Sequence, residues 1–183
     1  MIKKVNNNCN LYGMEEVRSQ PISLKWALIF SLISLTYVLG TAIARVQLPF
    51  IGWFIGVGVM LFCFGMAMKE YKTANQGFLS FGKGFGMAMF IAALGGLIRS
   101  VVYYIYLTVD SEFLEYLKET QEEMQSRFGQ GGQEAQNEQA QMIVDFLNGT
   151  EVMAGMMFLA AIFGGLIFGA IMSAIIKNEE EEY

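Results

Sequence analysis

The sequence predicts an all-α protein: a four-helix transmembrane bundle with an external acidic helical hairpin between the third and fourth spans. Three observations carry that reading. Hydrophobic residues make up 54% of the 183 residues and charged residues only 16%, too apolar a mix for a water-soluble domain, whose surface needs interleaved charge. The apolar residues gather into four runs, each near the ~20 residues that a spanning helix needs. Between the third and fourth runs lies one long polar stretch, in which ten acidic residues stand against Lys118 and Arg127.

Taken in order, residues 1–23 read as a polar N-terminal tail, with Lys3, Lys4 and Arg18 among asparagines. Pro21 and Ser23 supply a helix start signal, and the first span follows over 24–44 with Trp26 placed for an interfacial belt. A tight hairpin through Arg45 leads to Pro49, where a first helical turn tolerates the missing donor. The second span, 48–68, carries Gly52 and Gly56 at the four-residue spacing that lets helix backbones approach. Lys69, Glu70, Tyr71 and Lys72 open a short charged loop that runs to Lys83. The third span, 84–108, ends in Tyr103, Tyr104 and Tyr106, an aromatic cluster suited to a second interface.

Residues 109–151 are too polar to span. Phe113, Leu114, Leu117, Met124 and Phe128 share one helical face beginning near Asp110, and Met142, Ile143, Phe146 and Leu147 share another, with Gly129 to Gly132 as the break. Asn148-Gly149-Thr150 reads as a helix-ending turn. The fourth span, 152–176, places Ala161, Gly165, Gly169 and Ser173 at successive four-residue steps, a small-residue groove for close packing. Whether the grooves of the second and fourth spans serve one chain or join copies in a homo-oligomer stays open. Residues 177–183 form an acidic tail that reads as a solvated end. A short similarity, GMAMFIAALGGLI from Gly86 and GMMFLAAIFGGLI from Gly155, joins the third and fourth spans; two membrane helices drawing on one small alphabet account for it.

Lysine and arginine set the orientation of short membrane loops. Lys3, Lys4, Arg18, Lys25, Lys69, Lys72, Lys83 and Lys177 fall on one side, against Arg45, Lys118 and Arg127 on the other. Both termini are therefore expected in the cytoplasm of a bacterial inner membrane, with the acidic hairpin outside.

Arg99 is the one charge deep inside a span. Ala92, Gly95, Gly96, Tyr103 and Tyr106 lie at helical spacing from it, while Phe90, Leu94, Leu97 and Val101 fall opposite. Arg99, Tyr103 and Tyr106 form the candidate intramembrane polar site, and Gly95 and Gly96 join the helix-packing set. Three readings of Arg99 stay open: snorkelling to the headgroups, a hydrogen bond to a neutral or descending acidic partner such as Tyr103, Tyr37, Thr41, Glu151 or Asp110, or capture of an anion.

Catalytic chemistry finds little support. The sequence has no histidine, which removes the commonest general base and metal ligand. Glu15 and Glu16 superficially resemble the paired glutamates of intramembrane proteases, which also need histidines. Cys9 and Cys63 read as free thiols, with no lipoprotein signal before Cys9 and no cleavable leader. No catalytic, cofactor-binding or metal residues are assigned, and no basic stripe points to nucleic acid.

The opening LKWALIFSLISL, and the central EYKTANQGFLSFGKGFGMAMFIAALGGLIRSVVYYIYLTVD followed by an acidic amphipathic hairpin, resemble a family of small four-span integral membrane proteins of Bacteroidetes-type bacteria. That family carries only a domain-of-unknown-function label, four-one-nine-nine. The resemblance runs from about Leu24 to Ile176 and is most specific from Gly77 to Gly86. It implies an inner-membrane protein with an external helical loop, and no activity or catalytic residues. The leading functional expectation is a non-enzymatic membrane protein acting by association with membrane or envelope partners. Its partners are the lipid bilayer and a protein at the hairpin. The alternative is a small transporter or channel subunit with an anion or polar path at Arg99.

Overall fold

Each of the four apolar runs becomes a helix longer than the run itself, because a helix does not stop where the hydrocarbon does. The computed structural model describes residues 18–46, 49–128, 146 and 149–178. Within them lie α1 (Ser19–Ile43), α2 (Pro49–Ala74), α3 (Phe81–Val109), α4 (Ser111–Phe128) and α5 (Thr150–Ile176). All but α4 are long and apolar enough to cross a membrane, which fits a four-span membrane protein. At ~1.5 Å per residue, the 29 residues of α3 reach about 44 Å, well beyond a hydrocarbon core of ~30 Å.

Several boundaries differ from the sequence reading. α1 starts at Ser19 behind Arg18, not at Leu24. Pro21 sits inside its first turn, where the backbone N–H has no acceptor in any case. Lys69, Glu70, Tyr71 and Lys72 belong to α2 rather than to a loop. They stay helical because each side chain has somewhere to go. Glu70 accepts from Lys25 Nζ and from Trp26 Nε1 at 2.8 Å, Tyr71 is buried, and Lys72 Nζ donates to the Ile176 carbonyl at 3.2 Å, the open C-terminal end of α5. α3 starts at Phe81 rather than Gly84, with Ser80 as its N-cap accepting from Lys83 N.

Short turns join the first three spans. Arg45 follows α1 at φ 51°, and Gln76 and Gly77 lie at φ 54° and 94° between α2 and α3. Leu79, fully buried in that second turn, exchanges both backbone hydrogen bonds with Asn178, at 3.0 and 2.9 Å. The residues just after α5, read from sequence as the start of a solvated end, are therefore pinned to the α2–α3 turn. The residues of the acidic tail beyond 178 lie outside those described, as do Cys9, Glu15, Glu16, the glycine break from Gly129, and most of the hairpin's second half. Gly149 is the N-cap of α5.

α4 turns back at Asp110, which ends α3 and opens the next helix. Its carboxylate accepts from Phe113 N at 2.9 Å and from Tyr106 Oη at 2.8 Å. Phe113 buries against Ala42, Tyr103 and Leu107, with Leu114, Tyr116, Leu117, Met153 and Met157 around them. Arg45 pairs with Glu112 at 2.7 Å, and Tyr116 Oη donates to the Arg45 carbonyl at 2.8 Å. The other core, built on Trp26, Phe30, Phe64, Met68, Leu79, Ile91 and Ala92, fills the bundle toward the Lys25 end.

Candidate functional site

α3 is the helix about which the bundle packs, and its small residues explain how. Against α5 it forms an antiparallel ladder. A Cβ placed on Gly165 would stand 2.5 Å from the Ala92 Cβ, one on Gly169 2.8 Å from the Ala88 Cβ, one on Gly96 2.6 Å from the Ala161 Cβ, and one on Gly84 3.1 Å from the Ser173 Oγ. Each step on one helix is four residues forward and on the other four residues back, so a single register runs the length of the contact. Such approach is open only to residues with no side chain or one methyl-sized group. The groove of α5 is thus filled by α3 of the same chain.

The neighbouring glycine turns elsewhere. A Cβ on Gly95 would meet Phe30 at 2.5 Å and the Ala27 carbonyl at 3.1 Å, so Gly95 admits α1 while Gly96 admits α5. On α2, Gly52 lies under Tyr37, whose Oη would be 2.7 Å from an added Cβ, whereas a Cβ at Gly56 would meet nothing within 4 Å. Among the described residues of this chain, Gly52 and Gly56 therefore do not share one packing contact. Gly65, against Met172, and Gly164, against Met60, bring α2 and α5 together instead.

One step past Gly96, the ladder becomes polar. Ser100 Oγ donates to the Ala154 carbonyl at 2.6 Å and is buried. Arg99 Nη2 donates to the Met157 carbonyl at 3.3 Å. These carbonyls lie nearly one turn apart on α5, and both are within reach because the backbones are held close just below them. Met157 is opposite Ser100 in the same register, so the guanidinium remains level with its own turn and does not climb toward the headgroups. The Nε of Arg99 is buried and has no hydrogen-bond partner among the described residues.

The three residues of the sequence-derived polar site share a helix face but no hydrogen bond joins them. Tyr106 is taken by Asp110. Tyr103 packs in the apolar cluster with Ala42, Leu107 and Phe113. Ser100 escaped sequence reasoning, since a lone serine in a span carries no signal until its acceptor is known. Of the residues expected to face lipid, Phe90, Leu97 and Val101 are exposed, but Leu94 packs against the core. Among the described residues, no group of three or more His, Cys, Asp or Glu side chains could hold a metal ion.

Outside the spans, Asp110 holds its carboxyl below the ordinary carboxylate value, first because Phe113 N donates to it and then because Tyr106 does.

A family profile described as "Protein of unknown function (DUF4199)" matches residues 25–178. No curated protein matches the chain, and no solved structure does.

Proposed function

We propose, for a chain that belongs to the DUF4199 family of proteins of unknown function, a non-enzymatic role in the bacterial inner membrane: association with membrane or envelope partners through the surface that begins with α4. Both termini are then cytoplasmic and α4 is external. The observation that carries the reading is the docking of α4. Its apolar side is committed to the bundle through Phe113, and Glu112 is held by Arg45, while Glu115, Lys118 and Glu119 stand exposed. A polar helix anchored on one face and free on the other suits a partner surface. The distribution of basic residues supports the orientation, and the absence of histidine from the sequence supports the non-catalytic role.

Two measurements test this. A membrane-impermeant thiol reagent applied to intact cells should label K118C and spare K72C, and the reverse pattern refutes the orientation. A photocrosslinker at position 115 or 119 should trap one defined protein in the native membrane, and capture of lipid alone counts against association.

A second reading, a transporter or channel subunit with a polar path at Arg99, has one observation in its favour, the unpartnered Nε. Flux of an anion into proteoliposomes that vanishes in R99L supports it, and flux indifferent to R99L removes it.

A further inference from the structure

Arg99 carries more hydrogen-bonding capacity than the protein uses. A guanidinium offers five N–H donors, and among the described residues one acceptor meets them, the Met157 carbonyl at 3.3 Å. That carbonyl already serves the N–H four residues along α5. The Nε is buried and unanswered.

Among the described residues, no carboxylate pairs with this charge. α1 and α3 contain no Asp or Glu, and α5 has only Glu151, in its first turn and exposed. Glu151 lies six residues, about 9 Å along the helix, from Met157. The described acidic groups at this end of α3 are engaged: Asp110 with Tyr106 and Phe113, and Glu112 with Arg45. A partly buried cation inside a span, with a buried Nε and no described counter-charge, is costly in a low-dielectric surrounding, so this arrangement favours an anion.

The register supplies a second donor. Phe30 seated on Gly95, and Ala42 clustered with Tyr103 and Leu107 further along, set α1 parallel to α3, and one turn beyond Phe30 and Gly95 this register brings Ser34 to the height of Arg99. Ser34 is buried. We propose that Arg99 and Ser34 form a partly buried site for one phosphate-class oxyanion, either the phosphate of a lipid headgroup or free phosphate. The planar guanidinium fork matches two oxygens of such a group, and the serine hydroxyl supplies a third hydrogen bond. The site stands whether or not the chain transports anything. Arg99 is ten residues before the end of α3 at Val109, about 15 Å, so a lipid must draw its headgroup below the interface to reach it.

The test uses the full chain purified in uncharged detergent. Native mass spectrometry after addition of phosphatidylglycerol, against a phosphate-free glycolipid as control, reads retained lipid. Equilibrium binding of radiolabelled orthophosphate reads the free anion. One phosphatidylglycerol held per chain, with the glycolipid washed away, supports the lipid arm; one orthophosphate per chain supports the free arm. In either arm R99Q should weaken binding by about tenfold or more, the loss of charge-assisted hydrogen bonds. S34A should weaken it by less. A wild-type chain that holds neither phosphate source overturns the proposal without recourse to any variant, as does binding that R99Q and S34A both leave unchanged.

Discussion

Substituting Gly165 by alanine adds one methyl group at the tightest point of the α3–α5 ladder. The new Cβ would stand 2.5 Å from the Ala92 Cβ, with Met89 Sδ next at 3.4 Å. Two methyl carbons need about 3.5–4.0 Å, so the helices must part by roughly 1 Å or more, and both are rigid along this contact. Overpacking of this kind costs about 1–3 kcal/mol, which outweighs the ~0.5–1 kcal/mol that alanine gains over glycine in a helix interior. Gly155 and Gly86, on the same two helices, have open space where a Cβ would be. G155A and G86A should therefore be neutral or slightly stabilising. The sharper experiment is the exchange: A92G/G165A moves the methyl group across the contact and should recover most of the loss, giving a coupling energy of about 1–2 kcal/mol in a double-mutant cycle. Unfolding in mixed micelles, followed by circular dichroism as the denaturing detergent fraction rises, measures it. G165A as stable as G155A, or a double mutant no better than G165A alone, would refute the register.

Other outcomes follow from the polar contacts. S100A should cost about 0.5–1.5 kcal/mol in the same assay, since it removes a 2.6 Å hydrogen bond to the Ala154 carbonyl; no change would mean the bond is made equally well in the unfolded state within the micelle. E70Q should change stability by less than about 1 kcal/mol, because the Lys25–Glu70 pair is partly exposed, and a larger effect would point to the Trp26 hydrogen bond instead. The docking of α4 should depend on pH through Asp110. Its native carboxyl titrates below the ordinary value of 3.8, so its contribution is fully present above that value and is lost as pH falls through the lowered one. Hydrogen exchange in α4 should thus accelerate below about pH 4, and D110N should remove that dependence; exchange equally pH-sensitive in D110N would place the effect elsewhere.

The four spans were legible because four runs so long and so apolar match the length and composition of membrane-crossing helices. The groove of Ala161, Gly165, Gly169 and Ser173 was legible too, as a four-residue repeat, but its partner was not: Gly84, Ala88, Ala92 and Gly96 form the matching stripe only once the antiparallel register is known. Charged residues at Lys69 to Lys72 are compatible with a loop or with a helix emerging into water, and the choice rests on Lys25, Trp26 and the Ile176 carbonyl, all distant in sequence. Gly56 shows the opposite limit, since its spacing from Gly52 satisfies the rule although a Cβ there would meet no described atom within 4 Å. The acceptor of Arg99 was invisible for a simpler reason. It is a backbone carbonyl, which every residue possesses, and only the close approach at Gly96 brings that of Met157 within reach.

The whole account depends on α3 and α5 standing in one antiparallel register, because that register aligns the ladder and sets Arg99 on Met157. Oxidative crosslinking in native membranes, in a background with Cys9 and Cys63 replaced by serine and alanine, tests it most directly. A88C/G169C should form a disulfide within a single chain, and A88C/G165C, one turn out of step, should not. Efficient crosslinking of the displaced pair, or of A88C/G169C only between two chains, would contradict it.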